Sequence, residues 1–215
     1  MARSLSGLVK ELVSEGYVRS KRVEEAMLKI DRALFLPEDA KPYAYADTPL
    51  GIGSGQTISA PHMVAIMAEL LDPPKGGKCL EVGAGSGYNA AIIAEMMGPE
   101  GKVVSVERHA ALAAMAERSI AAAGYGERVK VVAGDGSLGY PGGAPYDRAI
   151  VTCASPALPE PIGEQLKEGG WALVPVGGRM WQTLYKFEKR KGNIVPTAHG
   201  GCVFVPLLGE HGFRE

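Results

Sequence analysis

An acidic residue followed by three alternating glycines forms the most informative motif of the chain. Residues 81–87 read E-x-G-x-G-x-G, directly after a short apolar run and before a helical pattern that ends at Gly98. An apolar run that stops at glycine is typical of a strand buried in a parallel sheet. Residues 78–107 therefore predict strand, glycine turn, helix and second strand, the first unit of a nucleotide-binding sheet.

Three ligand classes compete for such a turn, and the sequence fits only one of them at every position. A dinucleotide fingerprint needs a third glycine where this chain has Tyr88, and a P-loop needs a lysine that the turn lacks. The turn of S-adenosylmethionine-dependent methyltransferases fits at every position. This cofactor carries a sulfonium and an ammonium group but no phosphate, so Glu81 is favourable and no lysine is needed. Gly83 and Gly85 would let the backbone approach the methionyl part closely.

Two further acids follow the next predicted strands. Glu107 ends the second strand, where an acid can accept both ribose hydroxyls of the cofactor. Asp135 lies in Gly134-Asp135-Gly136, after the third strand. We expect its carboxylate to accept from the adenine amino group, with the N–H of Gly136 against the ring. A simple Asp-Gly turn is the alternative, but acids at successive strand tips favour ligand contact.

Composition restricts the class of protein. The 215 residues suffice for one domain with a sizeable core, and 46% apolar content is normal for a globular protein. A net charge of −1 argues against a broad nucleic-acid surface. No apolar run is long enough to span a membrane, and Met1 to Ser4 open a helix-like pattern without an export signal. We therefore expect a cytoplasmic protein.

The cysteine pattern argues against a metal centre. Cys79, Cys153 and Cys202 lie far apart, in a spacing that supports neither a zinc site nor a disulfide framework. We expect free thiols and no bound metal.

The chain before the glycine turn divides into helices and a long loop. Apolar spacing predicts a helix over residues 5–13 and a second one that begins after Ser20. Residues 42–61 contain too many glycines and prolines for one regular element, and such a loop is usually functional. Pro61 suits the first turn of a helix. We expect a single domain, with a helical cap and substrate loop in residues 1–60 and the cofactor-binding sheet in 61–215.

The second half of the chain predicts the remaining strands and a short helix. We expect the helix over residues 159–166 and a charged turn over 188–193. The strands are expected over 129–133, 146–152, 171–176, 184–188 and 202–206.

These motifs resemble one enzyme family. The loop G-Q-T-I-S-A-P-H-M (residues 55–63), the turn L-E-V-G-A-G-S-G-Y-N-A-A, the block G-D-G and the segment F-V-P-L (204–207) are similar to protein-L-isoaspartate O-methyltransferases. The loop makes the match specific, because the turn alone indicates only a methyltransferase. The chain departs from the family at Thr152-Cys153-Ala154-Ser155, where an alanine-rich tip is usual.

The resemblance implies a fold, a reaction and a set of site residues. The fold is a Rossmann-like α/β domain with a seven-stranded, mostly parallel sheet between helices, the last strand antiparallel. The reaction is S-adenosylmethionine-dependent methylation of the free α-carboxylate of L-isoaspartyl residues in damaged proteins, which starts their repair through a succinimide. Ser59 matches the active-site serine, and the substrate-binding positions are Thr57, Ile58, His62 and Val205.

Several alternatives remain open from the sequence. Ser59 could be only the N-cap of the helix that starts at Pro61. The chain could be another S-adenosylmethionine-dependent methyltransferase, for example one that acts on RNA, or a cofactor-binding protein without catalysis. We expect isoaspartyl proteins and peptides as partners, no nucleic acid, no membrane and a monomer.

Overall fold

A computed structural model describes residues 4–214, so Met1 to Arg3, which open the predicted N-terminal helical pattern, lie outside it. The helices are α1 (Leu5–Ser14), α2 (Lys21–Lys29), α3 (Pro61–Leu71), α4 (Tyr88–Met97), α5 (Ala110–Ala122) and α6 (Glu160–Glu164). The strands are β1 (Leu50–Gly53), β2 (Gln56–Ile58), β3 (Lys78–Val82), β4 (Lys102–Glu107), β5 (Val129–Ala133), β6 (Tyr146–Val151), β7 (Leu166–Gly177), β8 (Gln182–Arg190) and β9 (Asn193–Cys202).

Seven strands form one twisted sheet in the order β5-β4-β3-β6-β7-β8-β9. The first five in this order are parallel, which agrees with the predicted Rossmann-like architecture. The strand order reverses next to β3, so the carboxyl ends of β3, β4 and β6 meet at one edge. Ligands bind at such a switch point in open α/β sheets.

The prediction of an antiparallel last strand was wrong in detail. Strand β8 runs against the parallel strands, and β9 pairs antiparallel with β8, so β9 has the common direction again. The expected strand over residues 202–206 was also misplaced, because β9 ends at Cys202 and the chain then leaves the sheet. Most residues of β9 are exposed, so backbone pairing with β8 defines this edge strand and an apolar pattern does not reveal it.

The predicted charged turn over residues 188–193 is shorter in the structure. Strand β8 continues to Arg190, and only Lys191 and Gly192 separate it from β9. Both residues have positive φ, 51° and 76°, as a tight hairpin turn requires.

The N-terminal helices pack on the sheet domain through α3 and α4. The Ser20 side chain accepts a hydrogen bond from the backbone N–H of Val23, so the predicted N-cap of α2 is confirmed. Leu8, Val9 and Leu12 of α1 are fully buried. They belong to the same continuous apolar cluster as α4, so the cap shares the core of the sheet.

The segment expected to be an irregular loop contains a β-hairpin. Strands β1 and β2 pair antiparallel across Ser54 and Gly55, whose φ angles are 52° and 68°. Positive φ at both central residues gives the turn a twist that matches paired strands. The expectation of a loop without regular structure was wrong because these strands are only four and three residues long. The hairpin carries Thr57 and Ile58 toward the ligand-binding edge of the sheet.

Candidate active site

An open cleft lies at the carboxyl edge of the sheet. Its lining includes Gly83 and Gly85 from the turn after β3, Glu107 at the end of β4, Gly136 after β5 and Thr152 after β6. The hairpin and the C-terminal segment close it with Gln56, Thr57 and residues 205–208. The structure therefore brings together four of the six residues that the sequence predicted for the cofactor.

The glycine turn leaves no room for side chains where it meets the tip of β6. Gly83 has φ 95°, and a Cβ atom there would lie 2.4 Å from Oγ1 of Thr152. The Thr152 hydroxyl donates to the carbonyl oxygens of Val82 and Gly83, at 3.1 and 2.7 Å. Thr152 thus holds the glycine turn against the tip of β6, a role that its position at a predicted strand end did not reveal.

Glu107 is held in a single orientation at the cleft. It is 5% exposed, and its two carboxylate oxygens accept from the backbone N–H groups of Gly85 and His109, each at 2.9 Å. An ionised carboxylate has about four acceptor positions, so about two remain for a ligand. Two adjacent ribose hydroxyls match this capacity.

Glu81 lies behind the cleft, and its side chain does not line it. Its carboxylate is fully buried and accepts from the Asn89 amide at 2.8 Å and from the Ser105 hydroxyl. Burial raises the pKa of Glu81 to about 7, although the hydrogen bonds from Ser105 and Asn89 oppose this rise. Its direct role is to join β3, β4 and α4 beneath the glycine turn.

Asp135 is engaged by the C-terminal segment. Its carboxylate accepts from the backbone N–H and hydroxyl of Ser137 and from the backbone N–H of Glu210, at 2.7–2.8 Å. Burial would raise the pKa of Asp135, but these hydrogen bonds outweigh it and lower the pKa. Gly136 beside it faces the main cleft, whereas Asp135 lines an adjoining cavity with Arg108 and Phe213.

A second groove of about 560 Å³ adjoins this cleft. The predicted residues Ser59, Thr57, His62 and Val205 all line it. Four residues line both spaces, namely Thr57, Thr152, Val205 and Pro206. Ile58 is 4% exposed and faces a smaller cavity between the hairpin and the glycine turn. The two spaces therefore meet at the four shared residues, next to Ser59.

The structure removes the helix-cap interpretation of Ser59. Helix α3 has Ala60 as its N-cap and no side-chain cap. Ser59 is half-buried, and within residues 4–214 its hydroxyl makes no hydrogen bond to the protein. Its hydroxyl is therefore available to a ligand in the groove.

A buried arginine that the sequence did not single out holds the segment around Ser59. Arg32 is fully buried, and its guanidinium donates to the carbonyl oxygens of Ala44, Thr48 and Ser59, at 2.8, 3.0 and 3.1 Å. Burial lowers the pKa of Arg32 to about 10. A single side chain thus ties three points of residues 44–59, the hairpin segment that contains β1 and β2, to the helical cap. In the sequence, the only sign of this anchoring role was an arginine directly after a predicted helix.

His62 is oriented by Asp47 from the same segment. The Asp47 carboxylate accepts from the backbone N–H of His62 at 2.9 Å and lies 2.9 Å from Nδ1 of its ring. The ring also packs 5.3 Å from that of Tyr17. His62 is therefore fixed at the wall of the groove.

Residues 4–214 contain no group of three or more His, Cys, Asp or Glu side chains that could hold a metal ion. Over the same residues, no helix has the length and apolar character needed to cross a membrane. The three cysteines are free thiols.

Fold and site together define a methyltransferase of the Rossmann-like class that uses S-adenosylmethionine. The profile of the protein-L-isoaspartate(D-aspartate) O-methyltransferase family matches residues 3–212. The chain belongs to this family, which confirms the resemblance found in its motifs.

Similar proteins cover the chain almost completely. A protein-L-isoaspartate O-methyltransferase of Methanopyrus kandleri is 56% identical over 99% of this chain and 95% of its own. One of Hyperthermus butylicus is 52% identical over 97% and 90%. The crystal structure of a Plasmodium falciparum protein described by the same activity, in complex with S-adenosyl-L-homocysteine, has a TM-score of 0.86 at 26% identity, covering 95% and 98%.

Proposed function

We propose that this chain transfers the methyl group of S-adenosylmethionine to the free α-carboxylate of an L-isoaspartyl residue in a damaged protein or peptide. The observation that carries the proposal is the junction of the two spaces. The cofactor cleft and the larger groove share Thr57, Thr152, Val205 and Pro206, with Ser59 beside them. A methyl donor in one space and a carboxylate in the other would meet there.

The residues of the cleft suit the donor. Glu107 would accept from the ribose hydroxyls, and Gly136 would approach the adenine ring with its backbone. Asp135 keeps one free acceptor position for the adenine amino group beyond its three existing hydrogen bonds. The positive charges of the donor would favour the ionised form of the buried Glu81 carboxylate beneath the glycine turn. Close backbone approach at Gly83 and Gly85 completes the site.

The residues of the groove would position the acceptor. A carboxylate is ionised at neutral pH, so no general base is required. The methyl group would leave the sulfonium sulfur for a carboxylate oxygen, which yields a neutral thioether and a neutral methyl ester without moving a proton. Ser59 and Thr57 would donate hydrogen bonds that aim this oxygen, and His62, Ile58 and Val205 would shape the wall. Catalysis would rest on positioning and on excluding water.

The ester would then lose methanol when the following backbone nitrogen attacks its carbonyl carbon. The resulting succinimide opens with water, partly to normal aspartate. We propose that this sequence is the repair function of the chain, acting as a monomer in the cytoplasm, on proteins and peptides and not on nucleic acid.

One assay tests the proposal. Transfer of tritiated methyl groups would be measured on an isoaspartyl peptide, on the same peptide with normal aspartate, and on transfer RNA. The two peptides differ by one methylene moved between backbone and side chain, so a positioned site should methylate only the first. Equal rates on both peptides, or transfer to RNA alone, would refute the proposed substrate.

A further inference from the structure

The groove is larger than one modified residue requires. Its volume of about 560 Å³ lies within the ~300–1,000 Å³ of pockets that hold whole small molecules. One wall comes from residues 49–63 and carries Ser59. The opposite wall comes from the turn between β7 and β8 and from residues 201–206. Space therefore remains beyond Ser59 for the neighbours of an isoaspartyl residue.

Trp181 dominates the opposite wall. Its side chain is 64% exposed, and Val203 beside it is also 64% exposed. The six-membered part of its indole packs on Gly201, where an added Cβ would lie 2.2 Å from Cζ2. One side of the ring is thus supported by β9, which restricts its orientation, while the rest is open to the groove.

A buried glutamine joins Trp181 to the segment near the reacting groups. Gln182 is fully buried, accepts from the backbone N–H of Phe204 at 2.8 Å and donates to the carbonyl oxygen of Gly178 at 2.6 Å. The turn that carries Trp181 and the segment that carries Val205 are therefore one pre-formed wall. A pre-formed aromatic surface loses little conformational entropy when it binds a ligand.

We propose that Trp181 forms a subsite for an apolar side chain next to the isoaspartyl residue, and so favours damaged sites with an aliphatic or aromatic neighbour. The inference rests on the proposed function. Trp181 and Val203 give this wall of the groove an apolar surface, and Met63 belongs to the facing wall. Arg179 at its rim is engaged elsewhere, since its guanidinium donates to the Arg214 carbonyl and lies 5.3 Å from the Phe213 ring.

Continuity with the site identifies the occupant as the substrate chain. The same groove that contains Trp181 contains Ser59 and Val205, and a polypeptide must continue on both sides of its modified residue. A second copy of this protein is the competing occupant, because exposed Met180 lies beside Trp181.

Steady-state kinetics with three isoaspartyl peptides test the proposal. One has glycine on both sides of the isoaspartyl residue, and the others have leucine on the amino side or on the carboxyl side. The wild type should prefer at least one leucine peptide in kcat/KM. Trp181→Ala should reduce this preference about 3- to 10-fold, the range expected from losing one aromatic contact, mainly through KM. Trp181→Phe should restore part of it.

Met180→Ala is the matched control. Met180 is 85% exposed in the same turn but does not line the groove, so its loss should leave the preference unchanged. An unaltered preference in Trp181→Ala, or an equal loss in Met180→Ala, would overturn the subsite. If the wild type fails to methylate even the glycine peptide, the proposed function fails instead.

Two binding measurements complete the test. The chain has only two tryptophans, so leucine-peptide binding in the presence of S-adenosylhomocysteine should change a fluorescence signal that Trp181→Phe loses. Sedimentation of the wild type and Trp181→Ala should give the same mass. A dimer that dissociates on this substitution would assign the surface to self-association and reject the subsite.

Discussion

Ser59→Ala separates a role in substrate binding from a role in folding. Ser59 is not the N-cap of α3, since Ala60 occupies that position without a side-chain cap. The roughly 1 kcal/mol cost of a lost cap should therefore be absent. Removing a hydroxyl that makes no hydrogen bond within residues 4–214 should change stability by no more than about 0.5 kcal/mol.

The loss should appear in methyl transfer. Removing one well-placed donor to the reacting group should lower kcat/KM on an isoaspartyl peptide by on the order of 10- to 1,000-fold. Affinity for S-adenosylhomocysteine, measured by calorimetry, should change much less than kcat/KM. Ser59 borders the smaller cavity beside Gly83 and Gly85, but it does not line the cleft that contains Glu107 and Gly136. Ser59→Thr keeps the hydroxyl and should recover part of the rate.

Thr48→Val is the matched control for this experiment. Thr48 also carries a hydroxyl, and its carbonyl also accepts from Arg32, but it does not line the groove. Its substitution should leave kcat/KM near the wild-type value. A Ser59→Ala variant with wild-type kcat/KM would refute the reasoning, and a similar loss in Thr48→Val would assign the effect to the hairpin segment as a whole.

Three further substitutions test the cofactor side and the support of the hairpin. Glu107→Gln should weaken S-adenosylhomocysteine binding by about 1.5–3 kcal/mol, the range for hydrogen bonds to a charged group, and unchanged calorimetric affinity would remove Glu107 from the site. Arg32→Met loses three charge-assisted hydrogen bonds worth ~1.5–3 kcal/mol each. It also removes the cost of burying the charged guanidinium, which the lowered pKa of Arg32 puts at ~3 kcal/mol. We expect a net loss of about 2–5 kcal/mol in urea unfolding, and an equally stable variant would contradict the anchoring role. Burial raises the pKa of Glu81 from 4.5 to about 7. Between these two pH values the folded protein keeps a proton that the unfolded chain releases, so the free energy of unfolding falls as the pH rises from 4.5 to 7. Glu81→Gln should therefore gain about 2–3 kcal/mol relative to the wild type between pH 5 and 8, whereas parallel stability curves would exclude a raised pKa.

Local sequence determined the strand–turn–helix unit and the family. Glycines at alternate positions after an apolar run, and acids at successive strand ends, are dictated by backbone conformation and by the charge of the ligand. These constraints act between residues close in the chain, so Gly83, Gly85 and Glu107 could be proposed as cofactor contacts before the fold was known. Ser59 was found through the motif around it, because a single hydroxyl has no periodicity of its own.

Long-range packing decided the rest. The exposed edge strand β9 has no apolar pattern, since it is held by backbone hydrogen bonds to β8. Arg32 reaches Ser59 across 27 positions of sequence, and Gln182 reaches Phe204 across 22. The sequence determined the residue types that could bind a methyl donor. Only the tertiary structure decided which carbonyl and amide groups are buried together, and so which side chains hold the two walls of the groove in place.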